Sequence, residues 1–590
     1  MVSLVVLACA ACGETPLIYL NQSGFNLNRP KRFTAPTLDD KTPFAVVNAR
    51  NSKTVFNGLI RGHIGDLTQF NPVSSDEFYV KAGGERSDPF RIGHWWLERV
   101  SYRNAMDFMI QSRHYVGNYT RRCVGSFAWR DDHHFGWELN TLVPQYLANP
   151  AAYERMPRKI KYIKAPVISG ALEPYNEAAP DIVKMIHFGA DAIVTRKLGH
   201  ELLKEQLAYF LYAWPYIKRW LPEQNYAAVS QYAFSCWETE TVKRKYPYDK
   251  SKGHNILALK TAVGTIKGEL PPGHTIGPNL LIYEAAMRQG RTDAKKYFDA
   301  AYRQTEWIVK NLDWGDPQTT KGQRMSEHVT MTGLAMMLDT YPDRCPKGLA
   351  KKIEQWKQVM VKRSENMWDF RKFSDTEWTV PKNEPGNVLG FPACALAAVS
   401  ATPDSKLNDR LVELAYSHMD NAFGRNPTGR HFSYDAAREI EGVERGWHTF
   451  FRGGIGRLEK VPFVFDGAPI SGQYPYNPNA KPARTEGWVQ FNVAFNLSLA
   501  YMAHNDIEFE LTRQGESLKI RMKAPLNFDY GKTETAAVTV RKGKTVRQVM
   551  LTEEGVNSAW LSGVVKIAAD ITEVSYGYGY FRKTAKPTAR

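Results

Sequence analysis

The chain has 590 residues, of which 43% are apolar and 12% are aromatic. This length predicts two to four domains, and the apolar fraction supplies a large core, which excludes a disordered chain. Lys and Arg outnumber Asp and Glu by 16, a balance that favours an acidic partner. The basic residues are scattered, and the sequence contains no nucleic-acid-binding module, zinc-ligand spacing or Walker loop. We therefore expect an anionic polysaccharide or an acidic cell envelope as the partner, and no nucleic acid.

Residues 1–14 form a segment of their own. Residues 1–12 are small and apolar, contain no Lys or Arg, and are too short to span a membrane. They predict the end of a secretion signal, with Cys9 and Cys12 as candidate sites for a lipid anchor. We expect an exported protein, periplasmic or at the cell surface. The other four cysteines lie far apart, which favours buried free thiols over a single long-range disulfide bond: Cys123, Cys236, Cys345 and Cys394.

Residues 15–95 have the pattern of a small β-sandwich. Short alternating runs such as Phe44–Val47 and Glu77–Val80 are separated by Asn, Gly, Asp and Pro, and this spacing predicts strands. We expect this domain to support the domain that follows it, with carbohydrate binding as the alternative.

Helical periodicity dominates residues 96–505. Between 180 and 195, for example, Val183, Ile186 and Ala190 recur at intervals of three and four residues. Similar patterns predict about a dozen helices in all, near 102–112, 137–147, 201–219, 277–289, 293–312, 326–339, 347–362, 389–400, 406–422 and 488–503. A dozen helices in antiparallel pairs would form an (α/α)6 barrel, although the count leaves open whether the barrel closes.

The periodicity changes again after residue 505. Runs such as Ile507–Leu511, Leu518–Met522 and Val574–Tyr578 alternate in the manner of strands. Residues 506–590 are therefore expected to form a small antiparallel β domain, with Lys583–Arg590 as a frayed tail.

Titratable groups are dense between Phe127 and Glu138. This segment contains a tryptophan, an arginine, two aspartates and two histidines in a row: Trp129, Arg130, Asp131, Asp132, His133 and His134. Groups so close together shift each other's pKa and suit proton transfer. The structural alternative is a salt bridge within the segment, with the histidines capping the helix that follows.

A second group of polar residues lies late in the chain, where little helical period is present. It opens with Gly424–His431, continues through Trp447, His448 and Arg452, and closes on Thr485–Asn492. Gly, Asn and Pro indicate loops here. Loops that carry His, Arg, Asn, Trp and a carboxylate between helices are where a helical scaffold usually keeps its chemistry.

The order of these late residues resembles the C-terminal signature of glycoside hydrolase family 9. The shared features are Gly-Arg-Asn-Pro-Thr-Gly-Arg at 424–430, His448 with a following Arg, Gly-Ala-Pro at 467–469, and Glu486 with Asn492 six residues later. The resemblance implies that Glu486 is the general acid, which protonates the leaving glycosidic oxygen.

The N-terminal domain is similar to the immunoglobulin-like domain that precedes the catalytic module in many family 9 enzymes. The matching residues are Asn21–Phe25, Pro30–Arg32 and Ser87–Ile92. Together the two resemblances imply a mainly α multidomain protein, in which an immunoglobulin-like β-sandwich precedes a closed (α/α)6 catalytic barrel at 96–505. The small antiparallel β domain follows the barrel.

The early segment departs from the family pattern. The family has Asp-Ala-Gly-Asp after Trp-Tyr, and its two aspartates position and deprotonate water. Here Asp131 or Asp132 stands for one of them, and the other falls on His134 or Phe135. The hypothesis we favour is still hydrolysis, in which Glu486 is the acid and Asp131 or Asp132 holds and activates water.

Two alternatives remain open. In a polysaccharide lyase, His133 or His134 would remove the proton beside a uronate carboxylate, Arg430 or Arg452 would bind that carboxylate, and Glu486 or a tyrosine would be the acid. A non-catalytic glycan-binding protein is the other alternative; the missing aspartate favours it and the surviving glutamate argues against it. The positive net charge suits a uronate-containing substrate for either enzyme.

Further residues are expected to bind the sugar. Tryptophan faces suit the apolar faces of pyranose rings, and polar side chains of the same two segments complete the predicted set: Trp129, Trp447, Trp488, Arg130, Arg430, His431, His448 and Arg452. We expect no cofactor and no catalytic metal, with a structural divalent cation beside Asp131 and Asp132 as the alternative.

Overall fold

The computed structural model shows a three-part protein, with strands at both ends of the chain and helices in the middle. This architecture confirms the predicted fold class. The residues that the structure describes are 18–74, 76–112, 138–161, 170–197, 201–238, 255–263, 271–319, 328–376, 384–426, 489–526, 531–566 and 571–587.

Eight short strands form the N-terminal part. They are β1 (Phe25–Asn26), β2 (Arg32–Thr34), β3 (Pro43–Asn48), β4 (Thr54–Leu59), β5 (Ile64–Asp66), β6 (Glu77–Ala82), β7 (Glu85–Arg86) and β8 (Phe90–Gly93). One sheet has the order β1-β8-β6-β3-β4, with β7 also paired to β6, and β2 pairs with β5 separately. Phenylalanine rings fill the space between this sheet and the β2–β5 pair. The rings of Phe33 and Phe44 meet edge to face, with 5.0 Å between their centroids. This part therefore has a hydrophobic core of its own.

Thirteen α-helices are described in the middle part. They are α1 (Trp96–Ser112), α2 (Leu139–Ala148), α3 (Pro150–Glu154), α4 (Asp181–Arg196), α5 (Glu201–Ile217), α6 (Glu223–Cys236), α7 (Ile276–Arg288), α8 (Lys295–Asn311), α9 (His328–Thr340), α10 (Leu349–Arg363), α11 (Glu384–Ala401), α12 (Asn408–Ala422) and α13 (Val489–Asp506). Periodicity does not predict α6, because two of its five buried positions, Asn225 and Ser230, are polar and interrupt the apolar stripe.

Six of these helices form a closed inner ring. In it α2 packs against α5, α5 against α7, α7 against α9, α9 against α11, α11 against α13, and α13 back against α2. Helices α1, α4, α6, α8, α10 and α12 pack behind members of the ring. The closure that the helix count leaves open is therefore present, and the middle part is an (α/α)6 barrel.

The six inner helices run in the same direction. Hydrogen bonds join residues in the same half of neighbouring inner helices, or just beyond their ends: Asn140 with Gln206, Thr141 with Val493, Leu211 with Arg288, Glu284 with Tyr341, Asp339 with Ser400, and Ala393 with Ser498. The first residues of all six helices therefore lie at one end of the barrel, called here the N-terminal face. Their last residues lie at the other end, the C-terminal face.

Hydrogen bonds connect α13 to α11 beside a proline that lies within α11. Pro392 lacks an N–H group and disturbs the helical hydrogen bonds beside it. The Ser498 hydroxyl of α13 takes their place, because it donates to the carbonyl of Leu389 at 2.6 Å and accepts from the N–H of Ala393 at 3.2 Å. This insertion fixes α13 against α11.

Seven antiparallel strands form the C-terminal part. They are β9 (Glu508–Gln514), β10 (Ser517–Lys523), β11 (Thr535–Lys542), β12 (Thr545–Glu553), β13 (Trp560–Lys566), β14 (Ile571–Tyr576) and β15 (Lys583–Ala585), in the order β15-β14-β11-β12-β13-β10-β9. Leu518, Ile520, Val538 and Val540 are buried in the same hydrophobic cluster as the barrel helices, so the sheet packs on the barrel. The expected frayed tail is wrong for Lys583–Ala585, because these residues pair with β14.

A buried ionic cluster around Asp369 joins the N-terminal part to the barrel. The Asp369 carboxylate accepts hydrogen bonds from Arg425 (2.8 Å), Arg410 (2.6 Å) and Arg32 of β2 (3.3 Å). Burial alone would raise the pKa of Asp369, but the three guanidinium groups outweigh it and hold that pKa well below its usual range. Arg425 also donates to the Thr34 hydroxyl of β2 at 3.0 Å. These contacts are those of a structural support.

Three of the four remaining cysteines are free thiols, namely Cys236, Cys345 and Cys394. Cys236 and Cys394 are buried as predicted, whereas Cys345 is partly exposed, so the prediction of burial is wrong for it. Cys123 lies outside the described residues. Among the helices that the structure describes, none is both long enough and apolar enough to cross a membrane.

Candidate active site

All the residues predicted to perform catalysis or to bind the sugar lie outside the described residues: Trp129, Arg130, Asp131, Asp132, His133, His134, Arg430, His431, Trp447, His448, Arg452, Glu486 and Trp488. Cys9 and Cys12 also lie outside them. The described residues next to them in the chain define where the two segments join the scaffold.

Both segments lead directly into inner helices that are neighbours. The segment with Asp131 and Asp132 ends where α2 begins, and the segment with Glu486 ends where α13 begins. Near these starts, the Thr141 hydroxyl of α2 donates to the carbonyl of Val493 in α13 at 3.3 Å. The two segments therefore join the barrel at adjacent positions on its N-terminal face.

Glu138, the last residue of the early titratable segment, precedes α2 in an unusual conformation. Its φ is +54°, in the left-handed region that residues other than glycine rarely adopt, and the residue is buried. Its carbonyl accepts the first helical hydrogen bonds, from the N–H groups of Thr141 (3.0 Å) and Leu142 (2.9 Å). Eight other described residues besides glycines have a positive φ, so this conformation shows only how the chain turns into α2.

A buried acid–base pair lies at the N-terminal face between α5 and α7. The Nε2 atom of His274 lies 2.5 Å from Oε2 of Glu205, and both side chains are at least 95% buried. Burial raises the pKa of Glu205, and the adjacent imidazole opposes this rise. A carboxyl group and an imidazole in this contact can share one proton, so the pair can hold or pass a proton at the axis of the barrel.

The pair lines a small cavity on the barrel axis. The cavity has a volume of about 30 Å³, enough for water, and Asn140, Tyr209 and Thr332 also line it. Neither ring nitrogen of His274 has a hydrogen bond of normal geometry among the described residues, so the contact of Nε2 with Glu205 is an ion-pair distance and Nδ1 has room for a water molecule. In the described ranges no group of three or more His, Cys, Asp or Glu side chains could hold a metal ion.

The first three residues of the late signature have structural contacts. Gly424 has a φ of +125°, and a Cβ there would lie 2.8 Å from the carbonyl oxygen of Leu20, so only glycine fits. Arg425 is fully buried in the Asp369 cluster. The Asn426 side chain donates to the carbonyl of Asn421 at 2.8 Å, which agrees with a structural role for this asparagine.

Sequence reasoning missed the Glu205–His274 pair. The two residues are 69 positions apart, and neither stands beside another histidine or acidic cluster that would suggest chemistry. Glu205 stands between Lys204 and Gln206 in the first two turns of α5, and this polar context predicts an exposed position, not a buried one. Ring closure brings α5 and α7 together, and that closure is a tertiary property.

Comparison with known proteins supports the fold. No protein-family model matches the sequence, and no curated protein matches it. A single mutant of a thermostable endoglucanase from Alicyclobacillus acidocaldarius is similar in structure, with a TM-score of 0.50 and 13% identity over 82% of this chain and 99% of that chain. A metagenome-derived glycoside hydrolase family 9 endoglucanase is also similar, with a TM-score of 0.51 and 13% identity over 82% and 98% of the two chains. At this identity the likeness shows that the chain has the fold of family 9 endoglucanases.

Proposed function

We propose that this protein hydrolyses glycosidic bonds in a poly- or oligosaccharide by general acid–base catalysis. The observation that carries the proposal is the adjacency of α2 and α13 on the N-terminal face of a closed barrel. The chain enters α2 from Asp131 and Asp132 and enters α13 from Glu486, so the scaffold favours a site built from both segments. The fold shared with endoglucanases supports the same conclusion.

In the proposed mechanism Glu486 is the general acid. It donates its proton to the glycosidic oxygen as the bond to the anomeric carbon breaks, and the leaving sugar departs as an alcohol. Asp131 or Asp132 accepts a proton from a water molecule on the opposite face of the ring, and that water attacks the anomeric carbon. An inverting arrangement of this kind needs the two carboxyl groups about 6.5–9.5 Å apart.

The proposed substrate carries uronic acid units. The net charge of +16 favours anionic polymers at the protein surface. In the proposed site Arg430 and Arg452 bind uronate carboxylates, because a guanidinium group matches a carboxylate with two parallel hydrogen bonds. Trp129, Trp447 and Trp488 stack on the sugar rings.

The sequence of the early segment supports one competing function. His133 and His134 stand where an aspartate of the family pattern is missing, and a histidine is a suitable base for β-elimination beside a uronate. Hydrolysis and elimination differ in their products, because elimination leaves an unsaturated uronate and hydrolysis leaves none.

The deciding experiment is incubation of the protein with a panel of neutral and uronate-rich polysaccharides, with reducing ends and ultraviolet absorbance followed together. New reducing ends without absorbance are expected. Both signals together would replace hydrolysis by elimination and make His133 and His134 the residues to mutate. Binding on the panel without either signal would indicate a glycan-binding protein.

The role of Glu486 has its own test. Glu486→Gln should lower turnover by roughly 10²–10⁴-fold, the usual loss when general acid catalysis is removed, with little change in the unfolding temperature. Glu516→Gln is the matched control, since Glu516 is exposed in the turn between β9 and β10. Turnover of Glu486→Gln at the level of that control would overturn the assignment.

Export is proposed on the sequence of the first segment alone. A polymeric substrate is met outside the cell, which agrees with a secretion signal there. Cell fractionation and labelling with a palmitate analogue, compared between the wild type and a Cys9→Ser/Cys12→Ser variant, would test both export and the lipid anchor.

A further inference from the structure

A second cavity lies at the C-terminal face of the barrel. It has a volume of about 740 Å³ and lies between the last turns of the inner helices and the C-terminal sheet. Its wall includes Tyr212 and Tyr216 of α5, Asp339 of α9, and Tyr578 and Tyr580 from the turn between β14 and β15. Small-molecule sites typically have volumes of about 300–1,000 Å³ and occur preferentially at domain interfaces. We call this space the C-terminal cavity.

The C-terminal cavity is separate from the small cavity beside Glu205. Met336, Tyr501 and Tyr580 line both spaces and so form the partition between them. Tyr501 lies twelve residues into α13, about 18 Å along the helix from its start at the N-terminal face. The C-terminal cavity is thus at the opposite end of the inner helices from the starts of α2 and α13.

Four tyrosines form an aromatic wall. The rings of Tyr216 and Tyr578 stack at 4.8 Å with an interplanar angle of 11°, and those of Tyr212 and Tyr580 approach to 5.7 Å. All four residues are partly buried, and the stacked pair leaves only its outer faces for a ligand. Each half of the wall therefore joins a barrel side chain to one from the C-terminal part.

Two glycines hold this wall in place. Gly577 and Gly579 have φ values of +76° and +57°, and a Cβ on Gly579 would lie 2.6 Å from the hydroxyl oxygen of Tyr212. Between them, the N–H of Tyr578 donates to the carbonyl of Leu147 at 2.8 Å. The turn is fixed to the barrel, so a ligand would meet a preformed surface and lose little affinity in ordering it.

The polar groups around the wall have opposite signs. The carboxylate of Asp339 accepts a long hydrogen bond from Ser400 (3.4 Å) and has no ion-pair partner among the described residues. From the sheet side, Arg541 and Arg582 face the cavity, and each reaches Glu573 at no less than 3.8 Å. The cavity therefore offers a strong acceptor on one side and loosely held donors on another.

We propose that the C-terminal cavity binds a short neutral saccharide. Sugar hydroxyl groups both donate and accept hydrogen bonds, so they can satisfy Asp339 and the two arginines together. The apolar face of a pyranose ring matches the face of a tyrosine ring that the neighbouring tyrosine leaves uncovered. A strongly charged ligand fits less well, because the lining carries both signs. The site would bind sugar without cleaving it, and the inference does not rest on the proposed hydrolysis.

The test is isothermal titration calorimetry of the full chain with cellotriose, maltotriose and trigalacturonate. Each variant is made in a Glu486→Gln background, which limits turnover. Asp339→Asn should weaken neutral trisaccharide binding at the C-terminal cavity by roughly tenfold or more, the usual effect of losing a hydrogen bond to a charged group. Tyr216→Leu should weaken it by about 2–10-fold, because it removes an aromatic stacking surface. Asp299→Asn is the control, since Asp299 lies on the outer helix α8 and bonds to Lys295.

The outcomes are separable from those of the hydrolysis test. A neutral trisaccharide whose binding is weakened in both variants and unchanged in the control supports the site, even if no polysaccharide is cleaved. Equal affinity in all variants, the absence of trisaccharide binding, or a preference for trigalacturonate that depends on Tyr216 would overturn it. Asp339→Asn preserves side-chain shape, so it remains informative if Tyr216→Leu disturbs folding.

Discussion

Replacement of Asp369 by asparagine should destabilise the protein where the N-terminal part meets the barrel. The Asp369 side chain is 1% exposed and accepts hydrogen bonds from three arginines. Asparagine has nearly the same shape, but it removes the negative charge and turns an N–H₂ group toward guanidinium groups. Arg425, which is fully buried, then has only neutral acceptors among the described residues, such as the Thr34 hydroxyl.

The size of the effect follows from which arginine is left without a counterion. Arg32 and Arg410 each keep an ion pair with Glu413, so they remain partly compensated. Arg425 does not, and breaking a buried ion pair by removing one partner costs about 3–5 kcal/mol. We expect a loss in this range rather than three times it, because one charge, not three, becomes uncompensated.

Thermal and urea unfolding followed by tryptophan fluorescence would measure the loss. The control is Asp375→Asn, whose side chain is 72% exposed and lies about 4 Å from the nearest cations. Because the pKa of folded Asp369 lies below its unfolded value, its contribution is present at neutral pH and is lost only as pH falls through that low folded pKa. The difference between wild type and Asp369→Asn should therefore be present at pH 7 and be lost at strongly acid pH. A variant as stable as the control would refute the reasoning.

Three further outcomes are expected. Gly579→Ala should lower the unfolding temperature more than Gly515→Ala; their φ values are +57° and +58°, but a Cβ meets another atom only at 579, where overpacking adds about 1–3 kcal/mol. Equal losses would show that the close approach is unimportant. Burial raises the pKa of Glu98 to about 7, so the wild type should lose stability as pH rises from about 4.3 toward 7. Thermal melts of Glu98→Gln over this pH range should show a smaller loss. An identical pH dependence in wild type and variant would contradict this. A double-mutant cycle of Glu205→Gln and His274→Asn, read by urea unfolding, should give a coupling energy of about 0.5–3 kcal/mol, whereas additive losses would mean that the two side chains do not interact.

The fold could be predicted from sequence where a local pattern reports burial. The inner helices α7 and α13 are apolar on several sides, and periodicity locates them to within a few residues. The pattern fails where burial is polar, as at Asn225 in α6. It also fails for Lys583–Ala585, because a short edge strand is stabilised by its pairing with β14 and not by its own composition.

The candidate site could be predicted only in part, for a similar reason. A cluster whose members are consecutive in the chain, such as Asp131–His134, can be recognised from the sequence itself. The Glu205–His274 pair depends on ring closure between α5 and α7, and no property of either segment alone indicates it. Arg425 shows the converse, since a residue inside a recognised signature has a structural contact with Asp369.

The two faces of the barrel have different unsatisfied backbone groups, and this difference suits different partners. The last turns of the inner helices present carbonyl oxygens that need donors. The N–H of Tyr578 supplies one to Leu147 in α2, and Arg288 donates to the carbonyl of Leu211 at 3.2 Å, where Pro215 lacks the N–H that would normally bond to it. At these two points the C-terminal face is satisfied by protein groups, one of them from the turn that follows β14.

The N-terminal face has the opposite character. The first N–H groups of each inner helix point outward there, and the helix dipoles make this end favourable for negative charge. Six parallel helices therefore bias one end of the barrel toward carboxylates, whether these belong to catalytic side chains or to a uronate substrate. This bias agrees with the proposed hydrolysis of an acidic glycan, because it attracts an anionic polymer to the face where α2 and α13 begin.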